Sequence, residues 1–92
     1  MSRWTFLTNH AHVLLCVARD PGIRVREIAD RVGITEGAAQ RILRDLTTEG
    51  YLTRTREGRR NRYELLLDRP LRHPLEHHHR VGELVSVLRG EA

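Results

Sequence analysis

Gln40, Arg41 and Arg44 stand one, three and four residues apart, preceded by Thr35, Glu36 and Gly37, and a second basic group follows at Arg54, Arg56, Arg59, Arg60, Asn61 and Arg62. These side chains hydrogen-bond; they do not break bonds. A guanidinium offers a planar fork of donors that fits two acceptors at once, on a phosphate or on a guanine edge, and a carboxamide both donates and accepts, as an adenine edge requires. The chain has no Gly-rich phosphate loop, no nucleophile elbow and no carboxylate pair with a supporting context, so the sequence gives no reading as an enzyme.

Charge distribution narrows the partner. Of 92 residues, 16 are basic, all of them arginine, against 12 acidic, a formal net charge of +4. Between Ala38 and Tyr63 lie seven arginines and only Asp45, Glu49 and Glu57, so that stretch holds the whole excess. A field localised in this way attracts a polyanion. The absence of lysine has two readings: codon drift in a GC-rich genome, and the suitability of the guanidinium fork for phosphate and guanine.

Two other groups of side chains invite chemistry. Cys16 is the only cysteine, which excludes an internal disulfide and any site built from two thiolates of one chain. It reads as a packed or interfacial thiol, because a reactive thiolate wants exposure and several nearby cations, and only His12 and Arg19 lie within a turn. His77, His78 and His79 are consecutive, so on a helix they point in three directions; His79 with Glu83 and His12 with Cys16 have the i, i+4 spacing of a shared ligand. Neither pair completes a ligand set, and no metal or cofactor is expected.

The elements that must position the basic groups follow from hydrophobic spacing. Hydrophobic residues make up 39% and charged residues 30%, a balance that fits a soluble globular domain, and no apolar run approaches the roughly 20 residues of a membrane span. The segment Met1 to Phe6 lacks the apolar core of a secretion signal, so a cytoplasmic location is expected. A first helix is predicted from about Thr8 to Arg19, with His10, Val13, Leu14, Val17 and Ala18 on one face and Leu15 and Cys16 elsewhere, stopped by Asp20-Pro21-Gly22. A short β-prone piece, Ile23 to Val25, leads to a second helix from about Arg26 to Val32, which Gly33 ends. Ile34 plugs the core, and Thr35 caps a third helix, Glu36 to Thr48, with Ala39, Ile42, Leu43 and Leu46 inward. Tyr51 to Arg56 and Arg60 to Leu66 read as strands joined at Glu57-Gly58-Arg59. After a connector with Asp68-Arg69-Pro70 and His73-Pro74, a last helix is predicted from about Leu75 to Leu88, with a stripe of Leu75, Val81, Leu84, Val85 and Leu88 that needs a partner.

Helix, short strand, helix, tight turn, helix and hairpin is the order of a winged helix-turn-helix. The expected class is therefore α+β, mainly α: a three-helix core and a two-stranded β-wing with an additional C-terminal helix. One domain is expected over 1–92, divided into a winged helix core at 8–66, a connector at 67–74 and a C-terminal, dimerising helix at 75–89. The run VREIADRVGITEGAAQRILRDL, from Val25 to Leu46, followed by Glu49-Gly50-Tyr51-Leu52, resembles the winged helix-turn-helix of MarR-type and ArsR-type regulators. The resemblance spans roughly Ile23 to Leu66 and implies that the third helix enters the major groove of double-stranded DNA while the wing contacts neighbouring backbone or minor groove.

Geometry alone supports the same roles. A helix about 10 to 12 Å across fits the major groove, and Gln40, Arg41 and Arg44 are the polar residues its core does not need. Gly37 allows close approach, the Thr35 turn offers free amides to a phosphate, and Glu36 is read first as a partner of the helix dipole, second as a cytosine reader. The wing residues Arg54, Arg56, Arg59, Arg60, Asn61 and Arg62 are expected to supply affinity rather than sequence choice. One helix reads only a few base pairs, so a homodimer is expected, with Trp4, Phe6, Leu7, Leu15, Leu75, Val81, Leu84, Val85 and Leu88 at its interface. Two other readings stand beside this one: a protein-docking winged helix, and a sensor whose effector or metal sits between subunits.

Overall fold

In a computed structural model of the chain, which describes residues 3–89, the apolar spacing after Thr8 becomes helix α1, Asn9–Arg19. The Thr8 hydroxyl accepts from the Ala11 amide at 3.3 Å, satisfying one of the amides that a helix start leaves unpaired. Val13, Leu14, Val17 and Ala18 are buried as their spacing predicts. Two neighbours differ. His10 is exposed, with Nε2 2.9 Å from Asp45 Oδ2, and Cys16 lies inside the core. Cys16 is covered because α1 packs against more than one helix, so its buried arc is wider than a single stripe.

No strand forms at Ile23 to Val25. Ile23 is buried, but Arg24 already caps helix α2, Val25–Val32, leaving too few residues between turn and helix. The wing reaches this turn through one backbone bond, from the Tyr63 amide to the Pro21 carbonyl at 2.9 Å. Gly33 ends α2 in the left-handed region at φ 84°. The Thr35 hydroxyl then accepts from the Ala38 amide at 3.0 Å to open α3, Glu36–Thr48, whose Ala39, Ile42, Leu43 and Leu46 are buried.

Strands β1, Leu52–Glu57, and β2, Arg60–Leu65, pair antiparallel, with Arg54 opposite Tyr63, Thr55 opposite Arg62 and Arg56 opposite Asn61. The loop between them is two residues long. Gly58 takes φ 61° at its first position and Arg59 has no positive φ, the pattern of a II′ hairpin turn, in which glycine avoids the cost of that conformation. Tyr51, Leu52 and Tyr63 root the ribbon in the same core as the three helices.

The last helix is shorter than its apolar stripe predicts: α4 runs Val81–Leu88, and Leu75 to His79 form turns. The backbone explains the difference. The chain doubles back after the wing, so that the Leu71 amide bonds the His79 carbonyl at 2.9 Å and the Val81 amide bonds the Arg69 carbonyl at 2.8 Å. That pairing holds Arg80 extended, as Pro70's bridging partner, and a helix cannot pass through it. Glu83 reaches back to accept from the Arg80 amide at 2.7 Å and meets His79 Nδ1 at 2.9 Å. The Arg80 amide first, and His79 second, hold the Glu83 carboxyl below the usual carboxylate range.

Gly82 is where α4 touches the connector: a Cβ there would stand 2.8 Å from the Leu67 carbonyl oxygen. Val81 and Val85 are 4% and 3% exposed and belong to the chain's own core. Both were expected at a dimer interface; the structure buries them within the protomer instead, because α4 covers α1. Residues 1, 2 and 90–92 of the single-domain span lie outside the described residues.

Candidate nucleic-acid interface

Three local rules build the face presented by α3. Core burial takes Ala39, Ile42, Leu43 and Leu46, which turns Glu36, Gly37, Gln40, Arg41 and Arg44 to the exterior, all of them exposed. Thr35, also exposed, caps the helix, and Glu36 is the acidic residue of its first turn, a position the helix dipole favours.

The wing divides by the pleat. Directly opposed residues share a face, so Arg54, Arg56, Asn61 and Tyr63 lie on one side of the ribbon and Thr53, Thr55, Arg62 and Glu64 on the other. The first side meets α3. Gln40, Arg44, Thr47, Thr48, Arg54 and Asn61 border a cleft of about 330 Å³ between helix and ribbon. Arg62 borders a separate cavity with Thr53, Thr55 and Glu64; it is exposed but does not join Arg54 beside α3. Thr47 and Thr48 did not figure among the expected site residues. They lie one turn beyond Arg44 and two beyond Gln40 on the same side of the helix, a signal that continuing the row past Arg44 would have found.

Arg60 differs most from its expected role. Its Nη2 donates to the Gly22 carbonyl at 2.6 Å, next to the Tyr63 amide bond to Pro21. Arg60 thus braces the wing against the α1–α2 turn. Replacing Arg60 with Ala is expected to loosen the ribbon, read as faster amide exchange at Arg59 to Tyr63, whereas replacing Arg59, at the hairpin turn, leaves exchange unchanged. Equal exchange in both variants would show that the brace contributes nothing. Arg56 Nε donates to the Gly58 carbonyl at 3.3 Å, close to the turn.

A larger groove of about 660 Å³ lies elsewhere, bordered by Phe6, Leu7, Leu14, Tyr51, Leu71 and Leu84 among others. It brings together Phe6, Leu7, Val81 and Leu84 of the expected pairing set. Trp4 packs edge-on against Phe6, centroids 5.0 Å apart, and Trp4, Phe6 and Leu75 are 68%, 92% and 78% exposed. Leu15 is not part of this patch: it borders a cavity with Cys16 and Arg31 between α1 and α2. Leu88 is half-buried on α4. Two polar contacts flank the groove, His10 Nε2 with Asp45 Oδ2 at 2.9 Å and the ion pair of Arg72 with Glu49 at 3.9 Å.

Cys16 and the histidines are otherwise engaged. Burial pushes the Cys16 thiol up, with Arg31 and Arg19 opposing it only in part, so the thiol stays protonated at neutral pH. Its reaction with a disulfide reagent is expected to be slow in the folded protein and fast in denaturant; rapid labelling of the native chain would contradict the burial. His12 Nδ1 is 3.3 Å from Asn9 Oδ1, and His79 is held by Glu83. Among the described residues, no three His, Cys, Asp or Glu side chains are grouped to hold a metal ion.

A three-helix unit with an exposed third helix and a basic hairpin beside it defines the winged helix-turn-helix class. The sequence matches the MarR family over residues 5–62, more than half of its length, and the chain belongs to that family. Among solved structures it is similar to the zinc-dependent MarR family transcriptional regulator AdcR in its zinc-bound state, at 22% identity and a TM-score of 0.50, over 70% of this chain and 46% of that one. The likeness concerns the fold, and this chain spans less than half the length it is compared with. No curated protein matches the chain. No helix among the described residues is long and apolar enough to cross a membrane.

Proposed function

We propose that this chain is a cytoplasmic regulator of transcription that binds double-stranded DNA sequence-specifically as a homodimer. One observation carries the reading: Gln40, Arg41 and Arg44 are exposed on a helix whose apolar side is buried, beside a ribbon bearing Arg54 and Arg56 on the facing side. Helix and ribbon together form a basic concave edge of the kind a duplex groove complements. Selection of bound duplexes from a random pool tests it, followed by titration against salt. The expected result is an enriched sequence with two related halves about 34 Å apart, and a log-log salt slope of about −0.9 for each phosphate contacted. A shallow slope without enrichment would instead indicate a protein-docking module.

The exposed Trp4, Phe6 and Leu75 support pairing through the N-terminal segment and the turn before α4, together with the partly buried Leu7 and Leu84 at the groove. Phe6→Asp is expected to give monomers by light scattering while leaving the fold intact, because the side chain is almost fully exposed. A dimer that survives Phe6→Asp combined with Leu75→Asp would place the interface elsewhere. A second reading adds a small-molecule effector, favoured by the size of the groove, which falls within the roughly 300–1,000 Å³ of ligand sites. Such an effector would change DNA affinity, and DNA would change the effector's affinity by the same factor.

A further inference from the structure

We infer that the cleft between α3 and the wing is a seat for one backbone phosphate of the duplex, held between Arg44 and Arg54, and that Arg44 is therefore a phosphate ligand and not a base reader. The inference rests on the DNA-binding reading above and refines it. Three observations carry it.

The first is charge. Arg44 and Arg54 border the same cleft, and no carboxylate borders it with them. Neither guanidinium forms an ion pair or hydrogen bond among the described residues. This sets them apart from Arg60, bonded to the Gly22 carbonyl, Arg72, paired with Glu49, and Arg80, bonded to the Asp68 carbonyl. Two like charges that converge on one space repel, and an anion between them turns that repulsion into attraction.

The second is donor chemistry. The Thr48 hydroxyl and the Asn61 and Gln40 carboxamides border the cleft with the two guanidinium groups. The Thr47 hydroxyl is occupied by the Leu43 carbonyl at 2.8 Å, but among the described residues the Thr48 and Asn61 side chains have no partner. All of these neutral groups can donate, and donors grouped beside a pair of forks suit an oxyanion with several oxygens.

The third is depth. Each helical residue advances about 1.5 Å, so Arg44 stands about 12 Å along the axis from Glu36, the first residue of α3. A recognition helix lies in the groove and meets base edges with its N-terminal residues, so its later residues come progressively closer to the groove's edge. Gln40 and Arg41 stand about one turn nearer the start. Arg44 borders, with Arg54, the cleft between helix and ribbon.

The test uses the full chain, the selected duplex, an unrelated duplex of equal length, and copies of the selected duplex in which single phosphates are replaced by neutral methylphosphonates. Arg44→Ala and Arg54→Ala are each expected to weaken both duplexes by a similar factor, about tenfold or more, with the ratio between duplexes unchanged. The double variant is expected to flatten the salt slope by about 0.9 per protomer, the value for one phosphate and not two. One methylphosphonate position should weaken the parent most, each single variant less, and the double variant not at all. Both side chains are exposed, so thermal midpoints should match the parent and exclude misfolding as the cause.

If Arg44→Ala shifts preference between the two duplexes at constant slope, Arg44 reads a base and the inference is overturned. If the two single variants lose sensitivity at different phosphates, the shared seat is overturned. Failure of the parent chain to bind any duplex would overturn the DNA reading itself, a result distinct from both.

Discussion

A chain cut after Arg80 is expected to lose a large share of its folded stability, not merely its ability to pair. Sequence periodicity makes the C-terminal segment look like a free dimerisation element, and deleting Leu75 to Ala92 would then leave a folded monomer. The structure gives a different expectation. Val81 and Val85 are buried in the protomer's own core, and the Val81 and Gly82 amides bond the Arg69 and Leu67 carbonyls. Burying a valine contributes about 1.5–3 kcal/mol, so removing the pair costs about 3–6 kcal/mol against a total stability of about 5–15 kcal/mol. For a domain of this size that corresponds to a fall in Tm of more than about 12 °C. Thermal unfolding followed by circular dichroism checks it. An unchanged midpoint would mean that α4 is not part of the core.

Arg41→Ala is expected to have the largest effect on sequence choice. Arg41 is exposed, on the second turn of α3, and no wing residue meets it in the cleft beside Gln40 and Arg44. Among the described residues, none bonds its guanidinium. If Arg41 reads a guanine edge, its loss costs about 1–3 kcal/mol of discrimination, a factor of roughly 5 to 150, confined to one position of each half-site. Arg59→Ala, at the wing turn, should instead weaken every duplex alike and flatten the salt slope by about 0.9. Binding titrations on the selected duplex and its single-base variants separate the two. A uniform loss from Arg41→Ala would move that residue to the backbone-contacting set.

The core of the fold was legible because local rules and burial agree there. Thr8 and Thr35 cap helices where hydroxyl residues precede an apolar period, Gly33 and Gly58 adopt the conformations that their positions imply, and Ala39, Ile42, Leu43 and Leu46 are buried as their spacing requires. The α3 boundaries coincide with the expectation. Three regions did not follow. Ile23 to Val25 has β-favouring residues, but α2 begins too early to leave room for a strand. Cys16 lies outside the main stripe of α1, yet more than one helix packs on α1 and covers it. Leu75 continues the apolar period of α4, but the return of the chain from His79 to Leu71 uses up the backbone a longer helix would need.

The site shows the same division at the level of single side chains. Sequence patterning located the basic groups on a helix and a hairpin, since residues excluded from an apolar face must point outward. It could not assign Arg44, Arg60 and Arg62 their separate surroundings, because those depend on which carbonyl, cleft or ribbon face lies within a few ångströms.

By itself, then, the sequence determined the order of elements, the capping and turn positions, and an arginine-rich exterior, all governed by neighbours within a few residues along the chain. Only the tertiary structure decided that α4 belongs to the protomer's core, that Arg60 braces the wing, and that Arg44 and Arg54 border one cleft. Each of these brings together segments distant in sequence, and no periodicity of three, four or two residues encodes such an arrangement.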